Sequence, residues 1–126
     1  MTFRLLSAGQ IVDLHDRILN PGELRGMAKD KSLDGAIGRV ENRLLYGMIE
    51  DAFALAAAYA MAVSQGHCFN DGNKRTAYRT LVVSLHLNGI TLDVGPTVIG
   101  DRIIRLAQGQ LAEDDFAAWL RGRAAL

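Results

Sequence analysis

Between residues 67 and 75 the sequence reads His-Cys-Phe-Asn-Asp-Gly-Asn-Lys-Arg, a concentration of groups able to handle a phosphorylated ligand. A neutral imidazole at His67 can take a proton from an attacking hydroxyl, since its ordinary pKa of about 6.5 lies near neutrality. The carboxylate of Asp71 suits a hard cation such as magnesium, which takes carboxylate and phosphate oxygens together. Gly72 has no side chain to hold a phosphate away from the backbone. Asn73 beside it presents a backbone N–H, while Lys74 adds a point charge and Arg75 a bidentate fork.

These cations stand where a helix would not choose them. Apolar spacing from Ala77 to Leu87 predicts a helix whose first turns carry Lys74, Arg75 and Arg79 at the positive end of its dipole. Each such charge costs on the order of 0.3–1 kcal/mol near the surface. Glu113, Asp114 and Asp115 at the start of the last helix, with Arg121 and Arg123 at its end, obey the same rule. An anion resolves the conflict if Asn70 or Asp71 caps the helix and leaves the next N–H groups free. Composition alone equally allows a solvated helix start whose cations pair with carboxylates, and a hydrogen-bonded structural role for His67.

The neighbouring residues read more plainly. A zinc site on His67 and Asp71 lacks a third ligand at suitable spacing. The Gly72–Thr76 run has a Walker-like ending, but its distance from Gly66 is wrong and no strand precedes it. Cys68 is expected to face inward as a small hydrophobe, and Phe69 to plug the loop against the core. His15 and His86 are expected to be structural or surface residues away from the cluster. Arg39, among apolar positions, either joins a buried ion pair or reaches the site.

The elements needed to position this loop are helical. Ser7 and Gln10 form a capping box ahead of Ile11, Leu14 and Ile18, predicting a first helix over 8–19. Residues 20–30 form a loop. Leu33, Ile37, Val40, Leu44 and Leu45 mark a second helix; Met48, Ala52, Leu55, Tyr59 and Ala62 mark a third, ending near Gly66. The fourth stops at Asn88-Gly89, a left-handed ending. Residues 90–94 make an extended link. Val98 to Leu106 carry a fifth helix toward Gly109, and Phe116, Trp119 and Leu120 anchor a sixth. The fold expected is an all-α, compact six-helix bundle in a single domain over 1–126.

Composition limits the function classes. The chain has 126 residues, 49% hydrophobic and 22% charged, with 14 basic and 14 acidic side chains and no net charge. That excludes the strong basic footprint of a dedicated nucleic-acid binder. The apolar run at 52–63 is shorter than the roughly 20 residues of a membrane span. One cysteine makes no internal disulfide, and no signal-peptide pattern opens the chain, so a cytoplasmic protein is expected.

The run at 67–75 resembles the signature of the Fic/Doc family, His-x-Phe-x-Asp/Glu-Gly/Ala-Asn-Gly/Lys-Arg. Lys74, where most Fic enzymes carry glycine, is similar to the Doc branch. So are Leu14-His15-Asp16, Ile37-Gly38-Arg39-Val40 and Asn88-Gly89, so that the likeness covers about residues 10–90. The resemblance implies an all-helical Fic core and the toxin of a toxin–antitoxin pair. It implies a protein kinase that moves the γ-phosphate of ATP, with Mg2+, onto a threonine of elongation factor Tu and halts translation. By the same resemblance His67 is the general base and Asp71 the metal and phosphate residue. Gly72, Asn73, Lys74 and Arg75 hold the phosphates. Two departures bear on the chemistry. Tyr78 stands where many Fic signatures have a second arginine, which weakens the alternative of AMP transfer. Gly72 in place of the alanine of Doc keeps that alternative open, as is a non-enzymatic partner-binding module. No inhibitory Ser/Thr-x-x-x-Glu-Gly/Asn segment is present, so restraint is expected from a small antitoxin docking near the site.

Overall fold

The computed structural model describes residues 2–29, 31–66 and 68–125, and among them the ordered elements are six α-helices without a sheet. The first, α1, spans Ala8–Ile18. Its capping box forms as the spacing requires: the Gln10 backbone N–H donates to Ser7 Oγ at 3.1 Å, and the Ser7 N–H to Gln10 Oε1 at 2.9 Å. The helix ends one residue before the expected Leu19, which is already extended ahead of Asn20-Pro21.

Then come α2 (Leu33–Leu45), α3 (Ala52–Gly66) and α4 (Asn73–Leu87). Ser32 caps α2 through Gly35 N–H at 3.0 Å, and Leu33, Ala36, Ile37 and Val40 face inward. Leu45 and Met48, read as apolar markers of the second and third helices, are exposed, Leu45 as the last residue of α2 and Met48 on the connection after it. Gly47 takes a left-handed φ of 75° there, so the chain turns before α3 begins at Ala52. Asp51 caps that start, accepting the Ala54 N–H at 2.8 Å.

Helix α3 is the axis of the bundle. Ala52, Leu55–Ala60, Val63 and Ser64 are all buried, and neighbours cover it from several sides. Such an all-round apolar helix belongs inside. Opposite it α4 presents Thr76, Ala77, Thr80, Leu81, Ser84 and Leu85, all buried. Small residues on both partners bring the two helices together, and Cys68 and Phe69 close the core just beyond. The Asn88-Gly89 ending forms, with Gly89 at φ 81° and Ile90 N–H bonded back to the Leu85 carbonyl at 2.9 Å.

The remaining helices are α5 (Pro96–Ala107) and α6 (Glu113–Arg121). Val98 and Ile104, expected on the inner face of α5, are partly exposed, while Ile99, Ile103 and Leu106 carry the packing. The 90–94 link meets the C-terminal segment at an isolated antiparallel bridge, Leu92 with Ala124. No helix among the described residues is long and apolar enough to cross a membrane.

Candidate functional site

The segment leading into α4 is tied down by the loop that follows α1. Met27 and Phe69 form an isolated antiparallel bridge. Ala28 N–H donates to the Cys68 carbonyl at 2.7 Å, and Asn70 N–H to the Gly26 carbonyl at 3.2 Å. The Asn70 side chain adds a bond to the Arg25 carbonyl at 3.2 Å. Residues 68–70 therefore run as a short strand against residues 26–28.

At the helix start the expected cap is not the one found. Neither Asn70 nor Asp71 caps α4, because both side chains are spent on the loop. Asn70 reaches Arg25, and Asp71 Oδ2 accepts the Leu24 N–H at 2.8 Å. Gly72 is the N-cap instead, left-handed at φ 80°, with no side chain capping the helix. A glycine adopts that conformation without steric cost. The first intrahelical bond is Thr76 N–H to the Gly72 carbonyl at 2.9 Å. The N–H groups of Asn73, Lys74 and Arg75 thus belong to the first turn, whose donors have no partner within the helix. An open cleft of about 280 Å3 bounded by residues 70–75 lies over them. Lys74 projects into solvent beside it.

The side chains of Asn73 and Arg75 are engaged by the protein. Asn73 Nδ2 donates to the Phe69 carbonyl at 2.9 Å while Oδ1 accepts the Phe69 N–H at 3.0 Å. Arg75 reaches back under Gly72, donating through Nη1 to the Ile18 carbonyl at 2.9 Å and through Nη2 to Glu23. That guanidinium holds the Glu23 carboxyl below the usual carboxylate range, helped by the Asn20 N–H.

His15 corrects the sequence reading most clearly. Expected away from the cluster, it is fully buried beneath it. Its ring stacks on Phe69, centroids 3.8 Å apart and planes 8° from parallel. Nε2 meets the Asp71 carbonyl at 2.6 Å, and Nδ1 meets Asp16 Oδ1 at 3.1 Å. Two signals marked it in one dimension: a histidine four residues after Ile11, and the Leu14-His15-Asp16 run that is similar to the Doc branch.

His67 lies outside the described residues. Cys68 faces inward at 2% exposure, and burial pushes its thiol pKa up. Phe69 is the buried plug, and His86 is exposed. Arg39 lines a separate cleft with Arg43, Gln65, Gly66 and Glu113. It is Arg43 there that makes the ion pair, with Glu113 at 2.5 and 3.1 Å.

The donor set fits a magnesium nucleotide. Among the described residues no group of three or more His, Cys, Asp or Glu side chains gathers as a metal cage. One carboxylate beside open helix N–H groups is the arrangement in which phosphate oxygens complete the shell of a hard cation. With Asp71 Oδ2 held by Leu24, Oδ1 is the carboxylate oxygen that would face such a cation.

The profile described as Fic/DOC family matches residues 5–85. The chain is similar to "Protein kinase doc" of Escherichia phage P1, 35% identical over 94% of each chain. It is also similar to "Toxin Doc" of Mycolicibacterium smegmatis, 34% identical over 74% of each.

Proposed function

The chain belongs to the Fic/Doc family, and from that footing we propose that it is a Doc-like cytoplasmic toxin acting as an ATP-dependent serine/threonine protein kinase. The observation that carries this reading is the start of α4, where an uncapped left-handed Gly72 opens backbone N–H donors beside exposed Lys74 and the Asp71 carboxylate. Such a helix terminus favours phosphate twice, through its donors and through its dipole.

Bound Mg2+ would draw charge from the phosphates and order them against Asp71. The Gly72–Lys74 backbone cradles phosphate oxygens, and the Lys74 ammonium neutralises them. His67 takes the proton from a threonine or serine hydroxyl, whose oxygen forms a bond to the γ-phosphorus. The bond from that phosphorus to the β–γ bridging oxygen breaks, and ADP leaves. The proposed target is a translation factor of the elongation factor Tu type, so that transfer stops protein synthesis. A cognate antitoxin restrains the enzyme. The phage relative named a kinase and the mycobacterial relative named a toxin support these two halves of the proposal.

A paired radiolabel assay tests it, with purified elongation factor Tu added to bacterial lysate and His67→Ala run alongside. Label from the γ-phosphate alone, lost in the variant, is the expected result. Label from the α-phosphate would instead mark AMP transfer. Silence in both arms with a folded chain would remove the enzymatic reading from this target.

A further inference from the structure

Arg75 borders the cleft and has the type and position of a phosphate ligand, yet both Nη atoms of its guanidinium are engaged by the protein. It donates to the Ile18 carbonyl at the end of α1 and to the Glu23 carboxylate on the following loop. Glu23 in turn is completely engaged. Its Oε1 accepts the Asn20 N–H at 2.6 Å, and its own N–H donates to the Asn20 carbonyl at 3.1 Å. Asn20-Pro21-Gly22-Glu23 is thus a hydrogen-bonded turn with proline second and a glycine at φ 87° third, the type II arrangement. Proline and glycine form that turn locally, so Arg75 grips a segment already shaped. An exposed ion pair alone contributes little; here the fork meets a carboxylate and a helix-terminal carbonyl that are both fixed.

The next residue is Leu24, whose N–H holds Asp71 Oδ2 at 2.8 Å. Contact therefore runs from Arg75 to Glu23, along one peptide to Leu24, and on to the carboxylate of the site.

We propose that Arg75 and Glu23 are positioning residues, a strap that fixes the 20–24 turn so that the Leu24 amide aims the Asp71 carboxylate, and that Arg75 does not itself hold a phosphate. This rests on the reading of Asp71 as the metal and nucleotide-phosphate residue. With the strap in place one Asp71 oxygen stays bound to Leu24 and the other faces the ligand. Without it the carboxylate rotates freely, and the metal is held less well.

The test compares wild type, Glu23→Gln and Arg75→Gln. The first readout is hydrogen exchange at the Leu24 amide. The second is ATP affinity by calorimetry, without metal and across a Mg2+ titration. The strap requires both variants to speed Leu24 exchange by about tenfold. It also requires both to raise the Mg2+ midpoint by about tenfold, the usual effect of losing a group that orients a metal ligand. Metal-free ATP affinity stays within about twofold of wild type in both. Unchanged exchange at Leu24 in either variant overturns the proposal. So does a fall of about tenfold in metal-free ATP affinity in Arg75→Gln alongside a gain in Glu23→Gln, which would make Arg75 a phosphate ligand masked by Glu23. Should Arg75→Gln fail to fold, Arg75→Lys serves: it keeps the charge, but one ammonium replaces the fork, and the same opening at Leu24 is expected. If wild type binds no ATP, the nucleotide reading fails by itself, and exchange at Leu24 still decides the strap.

Discussion

Asn73 and Phe69 are joined by two opposed hydrogen bonds, the Asn73 amide donating to the Phe69 carbonyl at 2.9 Å and accepting the Phe69 N–H at 3.0 Å. A side chain at the first position of α4 thereby satisfies a backbone residue four places earlier. Only an amide supplies a donor and an acceptor at that spacing. Asn73→Asp is expected to cost about 1–3 kcal/mol, because the carboxylate meets the Phe69 carbonyl without a proton to offer. Thermal unfolding of the variant, read beside its ATP affinity, checks this; an unchanged melting temperature would contradict it.

His15 supports the same turn from below. His15→Phe keeps an aromatic ring to stack on Phe69 but withdraws the donor to the Asp71 carbonyl. The expected loss is about 1–3 kcal/mol for an acceptor left without a partner. His15→Ala, which also empties a buried site, is expected to lose more. Urea denaturation of the pair separates the two contributions, and equal losses would mean that the packing of the ring adds nothing to the hydrogen bond.

Acid should weaken the fold at two identified carboxyls. The Glu23 carboxyl is held below its ordinary 4.5 by Arg75. Burial pushes Asp51 up, but Arg121 and the α3 N–H groups outweigh it and leave it below its ordinary 3.8. Both are protonated more readily in the unfolded chain, so as pH falls the unfolded state takes up protons first. Their contribution is complete above about pH 4.5 and lost as pH falls through the lowered values. Urea midpoints measured from pH 7 to pH 3 should hold steady and then drop, and Asp51→Asn should flatten part of that drop.

Cys68 should be inert in the native protein. It is 2% exposed, and burial raises its thiol, so at neutral pH the nucleophilic thiolate is scarce and inaccessible. A thiol reagent such as Ellman's is expected to label it only at the rate of unfolding, and rapid labelling of folded protein would refute that.

The helices were largely legible because their signals are local. The Ser7–Gln10 spacing, the alternation from Leu33 to Val40 and the Asn88-Gly89 stop each lie within one or two turns. Met48 misled because apolar periodicity continues through Gly47, whereas the left-handed φ of that glycine breaks the helix. At the site, residue types disclosed capacity but not direction. Nothing near Arg75 in sequence shows that Ile18 and Glu23 will be waiting for it, and nothing near Asp71 announces Leu24. His15 lies 56 positions from its partner carbonyl, a contact that exists only once α1 has packed beside α4.

The covering of α3 by neighbours on several sides bears on when the core closes during synthesis. Part of its surface is covered by α6, which holds residues 113–121. While the ribosome is still making the earlier helices, an alanine-rich rod with Leu55 and Tyr59 has no complete sheath, and the helix it supports, α4, has no firm bed. Residues from Phe116 to Leu120 must leave the exit tunnel before that gap is sealed. A nascent chain stalled upstream of them still bares the part of α3 that α6 covers in the finished fold.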